Sequence, residues 1–147
     1  MKIVDVHCEN DFPANMDIEK FCRFTNRHLG EYGDPVDEIR AAVDYAFSKA
    51  EGKGGFVLLA YIDEDPVGGL VINATGMTRY IPENYLVYIA AHEKWRAVGV
   101  GRYLLERAIE LAEGDIALHV EPDNQAVSFY KKMGFDSKYI EMRLRRD

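Results

Sequence analysis

The chain has 147 residues, 48% of them hydrophobic and 29% charged, with a formal net charge of −7. That balance fits one ordinary globular domain, residues 1–147, large enough to bury about two-thirds of its unfolded surface. The acidity argues against general nucleic-acid binding, which needs a basic face, and mildly favours a cationic partner such as an amine.

Met1-Lys2-Ile3-Val4-Asp5 has no signal-peptide core, and Lys2–Cys8 alternates well enough for a first strand. Asp17 offers an N-cap for a helix whose stripe is Ile18, Phe21, Cys22, Thr25 and Leu29, stopped by Gly30. After the loop Glu31-Tyr32-Gly33, the pair Asp34-Pro35 reads as an N-cap with proline at the first helical position. Val36, Ile39, Val43, Phe47 and Ala50 are the buried stripe of that second helix, and the glycine-rich run 51–55 ends it. Phe56–Ile62 and Val67–Asn73 form a hairpin across the polar turn 63–66. Phe56–Ile62 is also the longest strongly apolar run, far below the roughly 20 residues that span a bilayer, so no membrane contact is expected. Gly68-Gly69 predicts a bulge or a close backbone approach.

A longer loop, 74–84, carries Thr75, Arg79, Tyr80 and Glu83. Tyr85–Ala91 is an apolar central strand, followed by the basic connection His92-Glu93-Lys94-Trp95-Arg96. The next helix buries Val100, Leu104, Leu105, Ala108, Ile109 and Ala112 and stops at Gly114. Asp115–Val120 is a fifth strand, the turn 121–124 caps a short helix over Gln125–Met133, and strands around Phe135–Ser137 and Tyr139–Arg145 close the chain. In the last of these Ile140, Met142 and Leu144 alternate with charged residues, the pattern of a half-buried strand. The fold class is therefore mixed α/β. Hairpin-joined strands precede one strand–helix–strand unit, whose strands should be parallel neighbours.

Two constellations carry chemistry. The first is the turn from the Tyr85 strand into its helix. Helix-opening amides lack partners within the helix and carry partial positive charge, which suits a phosphate. A dinucleotide fingerprint fails because its third glycine would fall at Leu104, and a Walker A loop fails because no Gly-Lys-Ser/Thr follows. What remains is Arg96-x-x-Gly99-x-Gly101, with Lys94, Arg96, Arg102 and Arg107 as a basic cluster around it in an acidic chain. The second is the run from Val120 to Phe135, with Asn124, Ala126, Tyr130 and Gly134-Phe135.

Together, in this order, the two resemble the pyrophosphate loop and the C-terminal signature of the GNAT superfamily of acyl-CoA-dependent N-acetyltransferases. The spacing from Asn124 to Ala126 is one residue short of that signature, so either Asp123 or Asn124 takes the family's asparagine position. The resemblance implies a GNAT-like three-layer α/β/α fold. Its sheet would be mixed and mostly antiparallel, of about seven strands, with a splayed parallel central pair. It also implies acetyl-CoA as acyl donor. Backbone groups of Ile89, Ala90 and Ala91 would pair with the pantetheine arm, and the Ala91 N–H would polarise the thioester carbonyl. The amides of Arg96, Ala97, Val98, Gly99, Val100, Gly101 and Arg102 would hold the pyrophosphate, with Asn124 and Tyr130 also lining the cofactor.

Tyr130 matches the family's general acid; the plainer reading is a core tyrosine beside Phe129. Many relatives carry a carboxylate in the central strand, but here Leu86, Val87, Tyr88 and Ile89 stand there. Glu83, just before the strand, is the candidate base, against the plain alternative of an exposed loop glutamate. Tyr85 and Tyr88 read as strand packing, although alternation can point one into the cleft. His7, His28, His92 and His119 are scattered, and Cys8 and Cys22 make no metal spacing, so no metal and reduced cytoplasmic thiols are expected. The resemblance places the acceptor between the loops 29–34 and 73–84, where Tyr32, Asp34, Arg79 and Tyr80 are the candidate contacts. The reading is an N-acetyltransferase acting on a primary amine of a small molecule, a lysine or a protein N-terminus. The alternatives are a non-catalytic acyl-CoA-binding regulatory module and an unrelated phosphate-binding α/β domain. The alternating last strand also suits pairing in a homodimer.

Overall fold

A computed structural model describes residues 1–146, which divide into two compact units, Met1–Ala117 and the part from Leu118 onward. The first unit holds a five-stranded sheet in the order β1-β2-β3-β4-β5: Lys2–Val6, Gly55–Ile62, Asp65–Ala74, Asn84–Ala91 and Ile116–Ala117. The first four strands are antiparallel neighbours and β5 runs parallel to β4. The helices are α1 (Ile18–Leu29), α2 (Val36–Phe47) and α3 (Val100–Leu111). No helix among the described residues is long and apolar enough to cross a membrane.

The helical stripes read from the sequence are largely the buried faces. Ile18, Phe21 and Cys22 of α1 and Ile39 and Val43 of α2 pack with Val57, Leu59, Val71 and Tyr88 of the sheet, and Thr25 of α1 is buried too. Val100, Leu104, Leu105 and Ala108 of α3 are buried as well. Two consecutive glycines on β3 let both helical layers close on the sheet. A Cβ on Gly68 would meet Val100 and Leu104 of α3, and one on Gly69 would sit 2.7 Å from the Phe21 ring of α1. The close approach expected of Gly68-Gly69 is therefore made on both faces at once.

Two bulges set the phase of the strands. Val67 is the extra residue where Tyr61 faces Pro66 and Ala60 faces Gly68. Val87 is the extra residue where Val71 faces Tyr88 and Ile72 faces Leu86. A bulge breaks strict alternation, and here Val87 and Tyr88 both pack against the α1–α2 side.

Several expected boundaries are corrected. The β2–β3 turn is tighter than expected, with Asp65 and Pro66 inside β3 and Asp63 left-handed at φ 55. Helix α2 ends at Phe47, leaving Ala50 exposed, and Ile109 on α3 is 44% exposed. The fifth strand is only Ile116–Ala117, and among the described residues the sheet has five strands, not about seven.

In the second unit, α4 (Ala126–Lys132) begins at a turn in which the Asn124 side chain accepts the Ala126 N–H at 2.8 Å. The segments 135–137 and 139–145 are not strands; Ile140 and Met142 are each 88% exposed. Alternation encodes which side chains favour burial, but a strand also needs a ladder partner, and in this chain none pairs with that segment among the described residues.

Candidate functional site

At one edge of the first unit's sheet lies the parallel pair β4/β5, joined at one end only. Asn84 faces Ile116 and Tyr85 faces Ala117, and the pairing stops there. A polar clasp holds the joined end. The Asn84 side chain is buried and donates to the carbonyls of Glu113 (2.7 Å) and Asp115 (3.3 Å), while the Asn84 amide donates to Asp115 O at 3.0 Å. Glu83 completes the clasp by accepting the Asp115 N–H at 2.9 Å. Beyond it, from Leu86 to Ala91, the β5-facing edge of β4 has no strand partner among the described residues. Backbone groups on such an edge seek hydrogen bonds.

The open edge leads into the glycine loop. A 3-10 turn over Glu93–Val98 ends at Gly99, which is left-handed at φ 85 and is also the N-cap of α3. The first intrahelical bond runs from Tyr103 N to Gly99 O, and no side chain caps the helix among the described residues. The amides of Val100, Gly101 and Arg102 therefore open on a glycine that presents no side chain, the arrangement an anion needs.

Arg96 has a bracing role. Its Nε donates to Ala91 O at 3.1 Å and its Nη2 to His28 O at 2.9 Å, tying the end of β4 to the last turn of α1, where helix carbonyls lack partners. The rest of the expected basic cluster is dispersed. Arg107 grips Asp5 with two hydrogen bonds and also pairs with Glu110, Arg102 pairs with Glu106, and Lys94 lies over the Trp95 ring. The local attraction for an anion thus rests on backbone amides more than on free guanidinium groups.

The acceptor-side candidates separate. The Tyr88 hydroxyl donates to Asp34 Oδ2 at 2.6 Å across 54 residues. Burial, and then this bond, hold the Tyr88 phenol well above its ordinary range, so it stays protonated. Asp34 does not cap α2 as its position before Pro35 suggested: the N-cap is Pro35, without a side-chain bond. Tyr32 ends the short turn Gly30–Tyr32 on the same loop. Arg79 is left-handed at φ 66 and Tyr80 is 82% exposed, and no hydrogen bond or ion pair among the described residues links either to Asp34. Backbone amides, Asp115 foremost, hold the Glu83 carboxyl below its ordinary range, so it is a weak proton acceptor in this setting.

In the second unit Tyr130 is largely buried among Phe129 and Phe135, and burial pushes its phenol up to about 12. The Asn124 side chain accepts the Ala126 N–H in the turn that leads into α4, whose N-cap is Gln125, and Asp123 makes no such bond among the described residues.

Three features escaped the sequence reading. Asn84 lies in the clasp, and an asparagine just before an apolar run was its only signal. Tyr88 reads as packing until its partner is seen. His28 and His92, scattered in sequence, stack with ring centroids 4.5 Å apart, and Phe24 flanks His28 at 4.4 Å. Burial, and then the His92 charge, lower the His28 pKa.

Residues 16–135 match the model of the acetyltransferase (GNAT) family. No curated protein matches the sequence. Among solved structures, a putative acetyl transferase from Pyrococcus furiosus is similar at 21% identity and TM-score 0.67, over 99% of this chain and 100% of that one. A ribosomal-protein-alanine N-acetyltransferase from Brucella melitensis is similar at 13% identity and TM-score 0.66, over 100% and 99%. An aminoglycoside N-acetyltransferase solved in complex with CoA is similar at 15% identity and TM-score 0.70, over 99% and 93%.

Proposed function

Because this chain belongs to the acetyltransferase (GNAT) family, we propose that it is an acetyl-CoA-dependent N-acetyltransferase that acetylates a primary amine by direct attack in a ternary complex. The observation that carries this reading is the β4/β5 pair, clasped at Asn84–Tyr85 and, among the described residues, without strand pairing beyond, beside the α3 amides that no described side chain caps.

The residues fit an extended thioester with a diphosphate. The open edge at Ile89, Ala90 and Ala91 supplies hydrogen-bonding groups for an amide-bearing arm, and the Ala91 N–H suits the thioester carbonyl. The turn from Arg96 to Arg102 supplies amides for the diphosphate, and Gly99 lets phosphate oxygens approach without a Cβ. Acetyl-CoA supplies an activated acyl group, so the chain's own work is alignment, carbonyl polarisation and proton movement. Alignment of amine and thioester supplies up to roughly 7–11 kcal/mol in well-ordered cases, and a general acid or base about 10²–10⁴-fold. Tyr130, protonated at neutral pH, is the proposed proton donor to the departing sulfur.

Calorimetry with CoA and a mass-shift screen of amines with acetyl-CoA test the reading. CoA binding together with a 1:1 acetylated amine is expected. CoA binding without turnover on any amine favours a non-catalytic acyl-CoA module, and no CoA binding overturns both.

A further inference from the structure

We propose that Asp34 is the group that binds the acceptor's ammonium and takes its proton, and that Tyr88 is the positioning residue that holds the carboxylate beside the open stretch of β4. This rests on the acetyl-transfer reading above and adds the residue that the central strand itself does not supply.

The strand is apolar from Leu86 to Ile89 apart from the Tyr88 hydroxyl. The fold brings a carboxylate to that hydroxyl from the α1–α2 loop, at 2.6 Å. Tyr88 lies between Leu86, where the β4 edge opens, and Ala91, where the strand ends. Asp34 thus stands beside the stretch proposed to bind the thioester arm.

The loop holding Asp34 is fixed independently of this bond. The Asn26 side chain donates to Asp34 O at 2.8 Å, and Gly33 N donates to Gly30 O at 3.1 Å. Gly33 is packed so closely that a Cβ there would lie 3.1 Å from Asn26 O, Gly30 O and Leu29 Cβ. Nor is the carboxylate needed by α2, because Glu38 N donates to Pro35 O and to Asp37 Oδ1. Among the described residues Oδ1 of Asp34 has no partner, and the residue is exposed. One oxygen is anchored by Tyr88 and the other is left available to a ligand. Because Tyr88 is a neutral donor, it orients the carboxylate without cancelling its charge, and an ionised acceptor strengthens such hydrogen bonds.

The ammonium gives one proton to Asp34, which passes it to water. The freed nitrogen lone pair forms the C–N bond to the thioester carbonyl carbon. As the C–S bond breaks, the sulfur keeps the bonding pair, and the second nitrogen proton ends on the thiol.

The test uses an acceptor amine identified by the screen and its aminooxy counterpart, which has a similar shape but is neutral at pH 7. Asp34→Asn should lose about 100-fold or more in kcat/KM on the amine, within the range of general-base catalysis. It should lose no more than about 3-fold on the aminooxy compound, with the CoA Kd unchanged. Tyr88→Phe should show the same selectivity with a smaller loss, and Asp34→Glu should restore part of the amine rate. Equal losses on both acceptors, or no loss on the amine, overturn the role of Asp34. Wild-type protein that binds CoA but acetylates neither acceptor overturns the acetyl-transfer reading itself, so the two failures are distinguishable.

Discussion

Glu83 Oε1 accepts the Asp115 N–H at 2.9 Å and so fastens the residue before β4 to the residue before β5. The same turn is tight, since a Cβ on Gly114 would lie 2.5 Å from the Glu83 carboxyl carbon. What the bond needs from residue 83 is an acceptor oxygen, not a negative charge. Glu83→Gln, which keeps that oxygen, should hold kcat and the acetyl-CoA KM within about 3-fold of wild type. Glu83→Ala should raise the acetyl-CoA KM and lower Tm. If Glu83 is instead the base, the glutamine variant will lose about 10²-fold or more in kcat, and steady-state kinetics on both variants decides.

Phe21 presses on Gly69 across the α1–sheet interface. Gly69→Ala adds a methyl 2.7 Å from a fully buried ring that has little room to move. Overpacking of this kind costs about 1–3 kcal/mol. A lower urea midpoint with an unchanged m-value is expected, and an unchanged midpoint would show that α1 moves freely on the sheet.

Tyr61 buries its hydroxyl without a hydrogen-bond partner among the described residues, and burial raises its pKa. An unsatisfied buried polar group costs about 1–3 kcal/mol. Tyr61→Phe removes the group and keeps the ring, so Tm should stay level or rise. A clear fall in Tm would reveal a partner for that oxygen.

Arg107 holds Asp5 through Nε at 3.1 Å and Nη2 at 2.5 Å, linking α3 to β1. The guanidinium hydrogen bond keeps the Asp5 carboxyl below its ordinary range. A depressed folded-state pKa contributes stability that is present above the unfolded value and is lost as pH falls through the folded one. The Tm difference between wild type and Asp5→Asn should therefore be full near neutral pH and close in acid, below the ordinary carboxylate range. Thermal melts across that range check it, and a gap that persists in acid assigns the effect to packing.

Much of this protein is legible along the chain because it is local. The stripes of α1, α2 and α3 follow the 3.6-residue repeat. The break into α3 is written in Gly99 and Gly101, and the hairpin in its polar turn. The parallel relation of β4 and β5 follows from the helix between them. Periodicity and turn chemistry act over a few residues, so one sequence exposes them.

Long-range pairing decides the rest. Asp34 before proline is locally a cap, yet its carboxylate goes to Tyr88, 54 residues away. Glu83 is locally a loop residue, yet it clasps Asp115. The terminal alternation of Ile140, Met142 and Leu144 is locally a strand, yet no neighbour supplies its ladder among the described residues. A side chain's local preference states what bonds it can make. Which bond it makes depends on the groups that the packed sheet and helices bring within reach, and only the tertiary structure determines that.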